Sequence, residues 1–364
     1  MPTIFLTGAT GYIGGHTLQL ITAQHPEWSI TALIRSATQA KIIQEKFPLV
    51  RVVVGCFEDV DIVAKCAAEA DVVLNLASSH LPSSTHIIAN MPSSPENTTT
   101  PTFIHLSSLA TLQNHPHGYG RPSSLIYNDN DQRTLANQFC SSSAEHAIRL
   151  AGERHGVETV TVCMGLVYGM GRGAVRKRGT TVPELIGAVV GRGRGFVVGE
   201  GRNVMSCIHI DDVASALLTL TDHALNTQRA SSPATPNPNP PSTFYFLSSP
   251  FSISMLSLIH LITTALSTSP SNTIHALPSE IEHLPPNHST QIHPWAPLLW
   301  GSNCVGEASL LHELGWRANG PGLLDVLEEM VGFEVGVLGA RGEDVWCAWK
   351  RDVKARREEV GVCF

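Results

Sequence analysis

The N-terminal segment constrains the fold of this chain more strongly than any other part of the sequence. An apolar run, Thr3–Leu6, leads directly to Gly8, Gly11 and Gly14, and an apolar-periodic stretch follows from Leu18. This order predicts a buried strand, a tight turn and a helix. Glycine allows a positive φ and a close approach of the backbone to a ligand. Because the first N–H groups and the dipole of such a helix bind phosphate, the segment predicts a dinucleotide-binding turn.

The end of the second predicted strand carries an arginine. Arg35 follows this strand, about twenty residues beyond the glycine turn. An acidic residue at this place binds the ribose hydroxyls and selects NAD, whereas arginine offers a bidentate partner for a 2′-phosphate and can stack on adenine. The sequence therefore predicts NADP as the cofactor, with NAD as the less favoured alternative.

Strands and helices are predicted to alternate through the first half of the chain. Such alternation is typical of a parallel sheet with helices on both faces. The predicted elements after the turn are Trp28–Ile34, Ala37–Lys46, Arg51–Val54, Asp61–Ala70, Ser142–Ala151 and Val160–Met164. Stretches rich in proline, serine and asparagine predict surface insertions near 224–242 and 267–294.

The composition limits the partners that the protein can have. The formal net charge is −7 at pH 7, and the one basic run, Arg172–Arg178, is short, so nothing favours binding to nucleic acid or to an anionic membrane. The 8 cysteines and 17 histidines show no spacing typical of a metal site. No apolar run has the length of a membrane span, and the chain starts with a strand instead of a signal peptide. We therefore expect a cytoplasmic monomer or homodimer with a small-molecule substrate and no metal.

Further motifs resemble the short-chain dehydrogenase/reductase superfamily. The glycine turn, Asp71–Ala77 and Phe103–Ser108 are similar to its first, fourth and fifth strands and the residues that follow them. Segments that resemble the extended branch, the epimerase/dehydratase type, are Val167–Arg172, Val198–Gly201, Ile208–Ala214 and Leu314–Trp316. Two others, His25–Trp28 and Ala32–Arg35, resemble an atypical epimerase/dehydratase-like group of that branch that is common in fungi.

This resemblance implies a fold and a set of site residues. The implied fold is α/β, a Rossmann-type doubly wound parallel sheet with a smaller C-terminal substrate lobe. We expect an NAD(P)-binding domain at 1–165 and a mixed lobe at 166–364, part of which returns to the first domain. The expected cofactor-binding residues are Gly8, Thr10, Gly11, Tyr12, Ile13, Gly14, Arg35, Leu76, Ala77 and Ser107, and the expected catalytic serine is Ser108.

The chain departs from the superfamily at the catalytic helix. There a tyrosine that transfers a proton is normally followed, four residues later, by a lysine that lowers its pKa. In the register set by Ala144 and Glu145, Asn137 stands in place of the tyrosine and Ser141 in place of the lysine. Neither replacement can transfer the proton or lower a pKa in the same way at neutral pH.

Three hypotheses follow from this loss. In the first, Tyr127 or Tyr119 supplies the proton and His146 takes over part of the cationic role, since histidine titrates near neutral pH. In the second, the protein is a catalytically inactive NADP(H)-binding sensor or scaffold. In the third, Ser108 acts with an ordered water, and the substrate supplies its own acid–base group. We favour an oxidoreductase or epimerase/dehydratase-like enzyme that acts on a small carbonyl or hydroxyl compound or a sugar-nucleotide-type substrate.

Overall fold

The central feature of the computed structural model is a sheet of seven parallel strands. The structure describes residues 1–77, 81–92, 100–138, 144–230, 242–268 and 280–339. The strands are β1 (Thr3–Thr7), β2 (Ser29–Ile34), β3 (Arg51–Val54), β4 (Val72–Asn75), β5 (Thr102–Ser108), β6 (Tyr127–Asn128), β7 (Glu158–Met164), β8 (Leu166–Tyr168), β9 (Phe196–Val198), β10 (Val204–His209), β11 (Ser242–Leu247), β12 (Ser252–Ser254), β13 (Glu282–Leu284) and β14 (Gly306–Glu307). The sheet runs in the order β11, β7, β5, β4, β1, β2, β3.

Helices connect these strands. They are α1 (Tyr12–Gln24), α2 (Ala37–Lys46), α3 (Val60–Ala68), α4 (Leu81–Asn90), α5 (Gln132–Gln138), α6 (Ala144–His155), α7 (Thr181–Arg192), α8 (Ile210–Ala230), α9 (Met255–Thr268), α10 (Pro286–Ser289), α11 (Ala296–Gly301), α12 (Leu310–Glu313) and α13 (Leu323–Gly339). A short 3-10 helix, Leu109–Leu112, follows β5. Among the described residues, no helix is long and apolar enough to cross a membrane.

Two apolar layers cover the faces of the sheet. Side chains alternate along each strand, so Phe5 and Phe103 pack on one face, in a cluster with residues of α3, α4 and α6. Ile4 and Ile104 pack on the other face, with residues of α1 and α8. Since both faces are covered, β4 is buried along its whole length, as strands of a parallel sheet usually are. The α/β doubly wound prediction is confirmed.

A third apolar cluster lies in the C-terminal half of the chain. It is formed mainly by α7, α9, α13 and β9, with Phe196 and Trp300 fully buried inside it. Between α7 and α9 the chain returns to the main sheet, where β11 pairs with β7 in parallel register. Of the predicted insertions, 231–241 and 269–279 lie outside the described residues; 224–230 completes α8, and β13 lies within the second stretch.

Candidate cofactor and catalytic site

The glycine turn between β1 and α1 is tightly packed. Gly8 has φ +84°, a conformation that side chains rarely adopt, and a Cβ on it would lie 2.6 Å from the Leu76 carbonyl. A Cβ on Gly14 would lie 2.2 Å from the Gly8 carbonyl oxygen. Gly8 and Gly14 are therefore required by the packing of the turn itself.

At Gly11 the backbone conformation does not itself require glycine. It precedes α1 with φ −76° and ψ 172°, an extended conformation open to any residue, and a Cβ there would lie 3.1 Å from the Gly8 carbonyl oxygen. No side chain caps the helix, so the first N–H groups of α1 are available to an anion. The cradle at Gly11 fits the pyrophosphate of a dinucleotide, which a side chain at this position would obstruct.

The other residues of the turn differ in what their side chains do. Thr10 and Ile13 are half-buried. Tyr12 is buried, and its hydroxyl donates a hydrogen bond of 2.7 Å to the Gly169 carbonyl oxygen. Burial raises the pKa of Tyr12, and the charge of Asp211 acts in the same direction. The phenol therefore joins α1 to the loop after β8, and only the backbone of Tyr12 remains as a candidate for cofactor binding.

Arg35, Leu76 and Ala77 lie at the same edge of the sheet as the turn. In the register of β1 and β2, Thr7 pairs with Leu33, so Arg35 follows at the level of the glycine turn. Arg35 is exposed, and the next residue, Ser36, caps α2. Leu76 is buried under Gly8 and Ala77 is exposed. The carboxyl ends of parallel strands form the usual ligand-binding edge of such sheets.

The two predicted serines lie at the end of β5. Ser108 is exposed and pairs in register with Met164, whereas Ser107 is half-buried and pairs with Cys163. The Ser107 hydroxyl donates a hydrogen bond of 2.6 Å to Oε1 of Glu145 on α6. Glu145 is 4% exposed. In the sequence Glu145 serves only to set the register of α6, so this pair is a finding of the structure.

A buried row of polar side chains crosses three neighbouring strands below the site. Thr7, Asn75 and His105 occupy paired positions on β1, β4 and β5. The Thr7 hydroxyl donates to Asn75 Oδ1 at 2.7 Å, and Asn75 Nδ2 lies 3.1 Å from the Ser84 hydroxyl and 3.4 Å from His105 Nδ1. Burial lowers the pKa of His105 to about 4, while the charge of Glu145 opposes this shift. The sequence signal for this row is a polar residue within or at the end of each of three mainly apolar strands.

Tyr127 forms part of β6, which pairs with β14. It is 9% exposed and belongs to the same apolar cluster as Met164, the residue paired with Ser108. Burial raises the pKa of Tyr127, and the nearby thiol of Cys304 acts in the same direction. The phenol is therefore protonated at neutral pH.

Asp129 fixes the segment that carries Tyr127. This fully buried carboxylate accepts hydrogen bonds from the N–H groups of Phe246, Ser309 and Leu310, at 3.0, 2.7 and 3.0 Å. Burial raises the pKa of Asp129, and these backbone hydrogen bonds act against that shift. The contacts join the segment after β5 to β11 and α12.

Tyr119 and His146 lie in different surroundings. Tyr119 stacks on His115 with ring centroids 4.2 Å apart and packs against the apolar cluster of the C-terminal half. His146 follows Glu145 on α6 and is half-buried, with its Nδ1 atom 3.5 Å from a guanidinium nitrogen of Arg149. The structure thus places Tyr127, and not Tyr119, in the apolar cluster that underlies the end of β5.

A polar cluster joins α1 to the loop after β8. His16 Nε2 lies 2.8 Å from Asp211 Oδ1, and His16 Nδ1 accepts a hydrogen bond of 3.0 Å from the Arg172 N–H group. The Arg172 side chain pairs with the same carboxylate, and Arg178 pairs with Glu334. The basic run is thus partly used for internal ion pairs. In the ranges that the structure describes, no group of three histidine, cysteine, aspartate or glutamate residues could hold a metal ion.

Two family models match consecutive parts of the chain. Residues 8–143 match a model described as NAD(P)H-binding, and residues 138–230 match the NAD dependent epimerase/dehydratase family. The chain therefore contains NAD(P)-binding and epimerase/dehydratase-type domains, as its resemblance to the extended short-chain dehydrogenase/reductases predicts. Binding of a nicotinamide dinucleotide is therefore confirmed at the level of the family, and the chain is grouped with NAD(P)-dependent oxidoreductases and epimerases.

Relatives of this chain include an oxidase and a reductase. It is 27% identical over 346 residues to oxidase ucsJ of an Acremonium species, which covers 92% of this chain and 98% of the relative. It is 25% identical over 243 residues to a dTDP-4-dehydro-6-deoxy-D-allose reductase of a Streptomyces species, which covers 60% of this chain and 72% of the relative.

Solved structures of extended superfamily members share the fold. The UDP-glucose 4-epimerase of Thermotoga maritima has a TM-score of 0.59 and 13% identity, over 92% of this chain and 99% of that chain. A dTDP-glucose 4,6-dehydratase of Bacillus anthracis, solved in complex with NAD, has a TM-score of 0.59 and 13% identity, over 96% of this chain and 100% of that chain. At this level of identity the likeness shows the fold alone.

The structure describes only part of the predicted catalytic helix. Asn137, which stands in place of the tyrosine, is exposed near the end of α5, and the next described helix, α6, begins only at Ala144. Ser141, which stands in place of the lysine, lies outside the described residues. At the end of β5, the Ser107 side chain contacts Glu145, and the Ser108 side chain is exposed.

Proposed function

We propose that the protein is an NADP(H)-preferring oxidoreductase or epimerase that acts on a small carbonyl or hydroxyl compound or on a sugar-nucleotide-type substrate. The observation that carries the preference for NADP is Arg35, an exposed guanidinium at the carboxyl end of β2, beside the glycine turn. A guanidinium matches the geometry of a phosphate and binds it in a bidentate way. The relative named as a dTDP-4-dehydro-6-deoxy-D-allose reductase supports the sugar-nucleotide alternative.

The proposed roles at the reacting end follow from the edge of the sheet. When it is bound, the cofactor supplies or accepts a hydride at its nicotinamide ring. Ser108, exposed at the end of β5, hydrogen-bonds the oxygen of the substrate. Tyr127, protonated at neutral pH, is the proposed proton donor, and His146 contributes part of the charge that the missing lysine would have supplied.

The test is the affinity of the protein for NADPH and for NADH, measured by fluorescence titration. NADPH is expected to bind more tightly by about tenfold or more, since a charge-assisted hydrogen bond contributes roughly 1.5–3 kcal/mol. Arg35→Asp should remove or reverse this difference. Arg51→Asp is the matched control, because Arg51 begins β3 in register with Thr31, four residues before Arg35, and pairs with Glu69 on the surface.

Two results would contradict the proposal. Equal affinities for the two cofactors in the unmodified protein would remove Arg35 from the binding site. An equal loss of NADPH affinity in Arg35→Asp and Arg51→Asp would show a long-range charge effect instead of a contact with the 2′-phosphate.

A second candidate is a cofactor-binding sensor or scaffold without turnover. The exposure of Asn137 on α5 favours it, because this position presents no proton donor to the end of β5. Tight NADPH binding with no oxidation of the cofactor across a panel of aldehydes, ketones and 9,10-phenanthrenequinone would support the sensor. Turnover of any member of the panel would exclude it.

A further inference from the structure

The loss of the tyrosine and lysine leaves an alcohol substrate without its usual proton acceptor. We propose that Ser107 and Glu145 replace that acceptor, with the Ser107 hydroxyl in contact with the substrate and Glu145 taking up the proton through Ser107. The protein would then work as a dehydrogenase of secondary alcohols. This inference rests on the proposed function as a cofactor-dependent oxidoreductase, but it assigns proton transfer in the oxidation direction to Ser107 and Glu145 in place of Tyr127.

The distance between the two side chains carries the first step of the argument. An O–H···O⁻ hydrogen bond between a hydroxyl and a carboxylate is typically about 2.5–2.7 Å long, shorter than a bond between neutral groups. The Ser107–Glu145 hydrogen bond of 2.6 Å lies in this range. Oε1 of Glu145 is therefore the acceptor that is already aligned with the Ser107 hydroxyl proton.

Burial separates the two parts of the pair. Ser107 is half-buried at the carboxyl end of β5, next to exposed Ser108, so its hydroxyl lies at the edge where the cofactor turn also lies. Glu145 is 4% exposed and lies behind it on α6. A substrate at this edge can contact the Ser107 hydroxyl, whereas Glu145 is nearly inaccessible and acts through it. Glu145 is thus a positioning residue in this scheme.

The titratable groups around Glu145 leave it able to accept a proton. From β5, His105 faces it; burial lowers the pKa of His105 to about 4, so the imidazole is neutral at neutral pH. From β7, the Cys163 thiol has its pKa raised by burial, with the charge of Glu145 acting in the same direction. On α6 itself, Arg149 pairs with Glu153, so this guanidinium is engaged by another carboxylate.

His105 is held in one tautomer by its neighbours. Asn75 Oδ1 accepts from Thr7, so Asn75 Nδ2 is the donor toward His105 Nδ1 at 3.4 Å. The proton of the neutral ring is then on Nε2, which is buried and, among the described residues, has no hydrogen-bond partner. Because the charge of Glu145 acts on this ring, the ring provides a spectroscopic reporter of Glu145.

The step balances in atoms and charge. The carbinol carbon loses a hydride to the oxidised cofactor, and its O–H bond breaks as the carbonyl forms. The hydroxyl proton moves to Ser107 Oγ while the proton of Ser107 moves to Glu145 Oε1. The proton on Glu145 then returns through the half-buried Ser107 hydroxyl to solvent, so that one alcohol yields one carbonyl compound, one reduced cofactor and one proton. Because the resting carboxylate is a base, oxidation is the direction that it assists.

The test compares Ser107→Ala, Glu145→Gln and Glu145→Asp with the unmodified protein. NADP⁺-dependent oxidation of 1-phenylethanol and 1-indanol is followed over a range of pH. Glu145→Gln keeps the shape of the side chain but removes the base, and kcat should fall by about 100-fold or more, with loss of the acidic limb of the pH profile. Glu145→Asp should retain that limb with part of the activity.

The matched control is Glu153→Gln, which removes a carboxylate from the same helix, at its pair with Arg149. This variant should keep both the rate and the pH profile. Affinity for NADPH should be the same in Glu145→Gln and Glu153→Gln, and it separates the two proposals: absence of cofactor binding in the unmodified protein defeats the proposed function. If Glu145→Gln binds NADPH normally and oxidises the alcohols with an unchanged rate and pH profile, the proposed proton path is wrong.

A measurement without turnover gives an independent answer. The ¹⁵N NMR spectrum of the His105 ring should show a proton on Nε2, and Glu145→Gln should move these resonances because the charge that faces the ring is removed. Glu153→Gln should leave them in place. If neither alcohol is oxidised, a shift confined to Glu145→Gln supports the pairing of these groups, and an unmoved His105 spectrum overturns it.

Discussion

The two halves of the site have diverged to different extents. At the glycine turn, Gly8, Gly11 and Gly14 keep the spacing and the geometry of a dinucleotide cradle. Two strands away, at the end of β5, the sequence predicts that the superfamily's tyrosine and lysine are replaced, and the structure places half-buried Ser107 against buried Glu145. The glycine turn, which depends on the backbone, keeps the superfamily's pattern. The end of β5, which depends on side chains, is predicted to differ from it.

This difference has a physical cause. Cofactor phosphates are bound mainly by backbone N–H groups, which no side-chain replacement removes as long as the turn can form. Proton transfer requires only a group of suitable pKa within hydrogen-bond reach, and different residues on different elements can provide it. The loss of a catalytic motif therefore does not by itself indicate the loss of catalysis. The loss of a glycine from the turn would indicate more strongly that cofactor binding is lost.

The sharpest test of the backbone half contrasts Gly14→Ala with Gly11→Val. A Cβ at residue 14 would lie 2.2 Å from the Gly8 carbonyl oxygen, so Gly14→Ala should destabilise the fold by roughly 3 kcal/mol or more. Gly11 already has an extended backbone, so Gly11→Val should fold but lose cofactor affinity by about 100-fold or more, since the side chain fills the approach of the pyrophosphate. Calorimetric titration with NADPH and thermal unfolding measure the two effects.

Two results would contradict the expected difference between Gly14→Ala and Gly11→Val. If Gly11→Val bound NADPH as the unmodified protein does, the turn would not be the pyrophosphate site. If Gly14→Ala were as stable as the unmodified protein, the close packing of the turn would not be what requires glycine at that position.

The buried row below the catalytic half predicts a pH dependence of stability. His105 has a pKa of about 4 in the folded protein, against 6.5 for the free side chain. Between these values the unfolded chain binds a proton that the folded chain does not, so the free energy of unfolding should fall by roughly 3 kcal/mol as the pH is lowered through this range. Urea unfolding at a series of pH values measures it.

His105→Asn isolates this contribution. The variant should show a flatter pH profile over the same range, whereas His117→Asn, at an exposed loop position, should keep the profile of the unmodified protein. Equal slopes in all three proteins would contradict the neutral, buried state of His105.

The smallest expected effect concerns Tyr12, which the sequence assigns to the cofactor and whose hydroxyl bonds to Gly169. Tyr12→Phe should reduce the free energy of unfolding by about 1 kcal/mol, the usual contribution of one hydrogen bond, and leave NADPH affinity unchanged. Tyr119→Phe is a suitable control for the loss of a hydroxyl. A marked loss of NADPH affinity in Tyr12→Phe alone would return the phenol to the cofactor site.

Local patterns were enough to predict much of the fold. The spans Ala37–Lys46 and Arg51–Val54 agree with α2 and β3 residue for residue, and β2 and β7 differ from their predictions only at their first residues. Periodicity shows these elements because the sheet and the helices impose it on nearby residues. The predicted helix Ser142–Ala151 is described only from Ala144 and continues to His155, since helix ends depend on capping and packing that the pattern does not contain.

The sequence by itself determined the parallel α/β sheet and the glycine turn, and it predicts the loss of the usual tyrosine and lysine. Each depends on residues close together in the chain or on the identity of single positions. Only the tertiary structure brought Ser107 to Glu145, Tyr12 to Gly169 and the buried Asp129 to the N–H groups of three distant residues. Hydrogen bonds between side chains far apart in sequence leave no periodic signal, because the fold, and not the spacing of the residues, decides which of them meet.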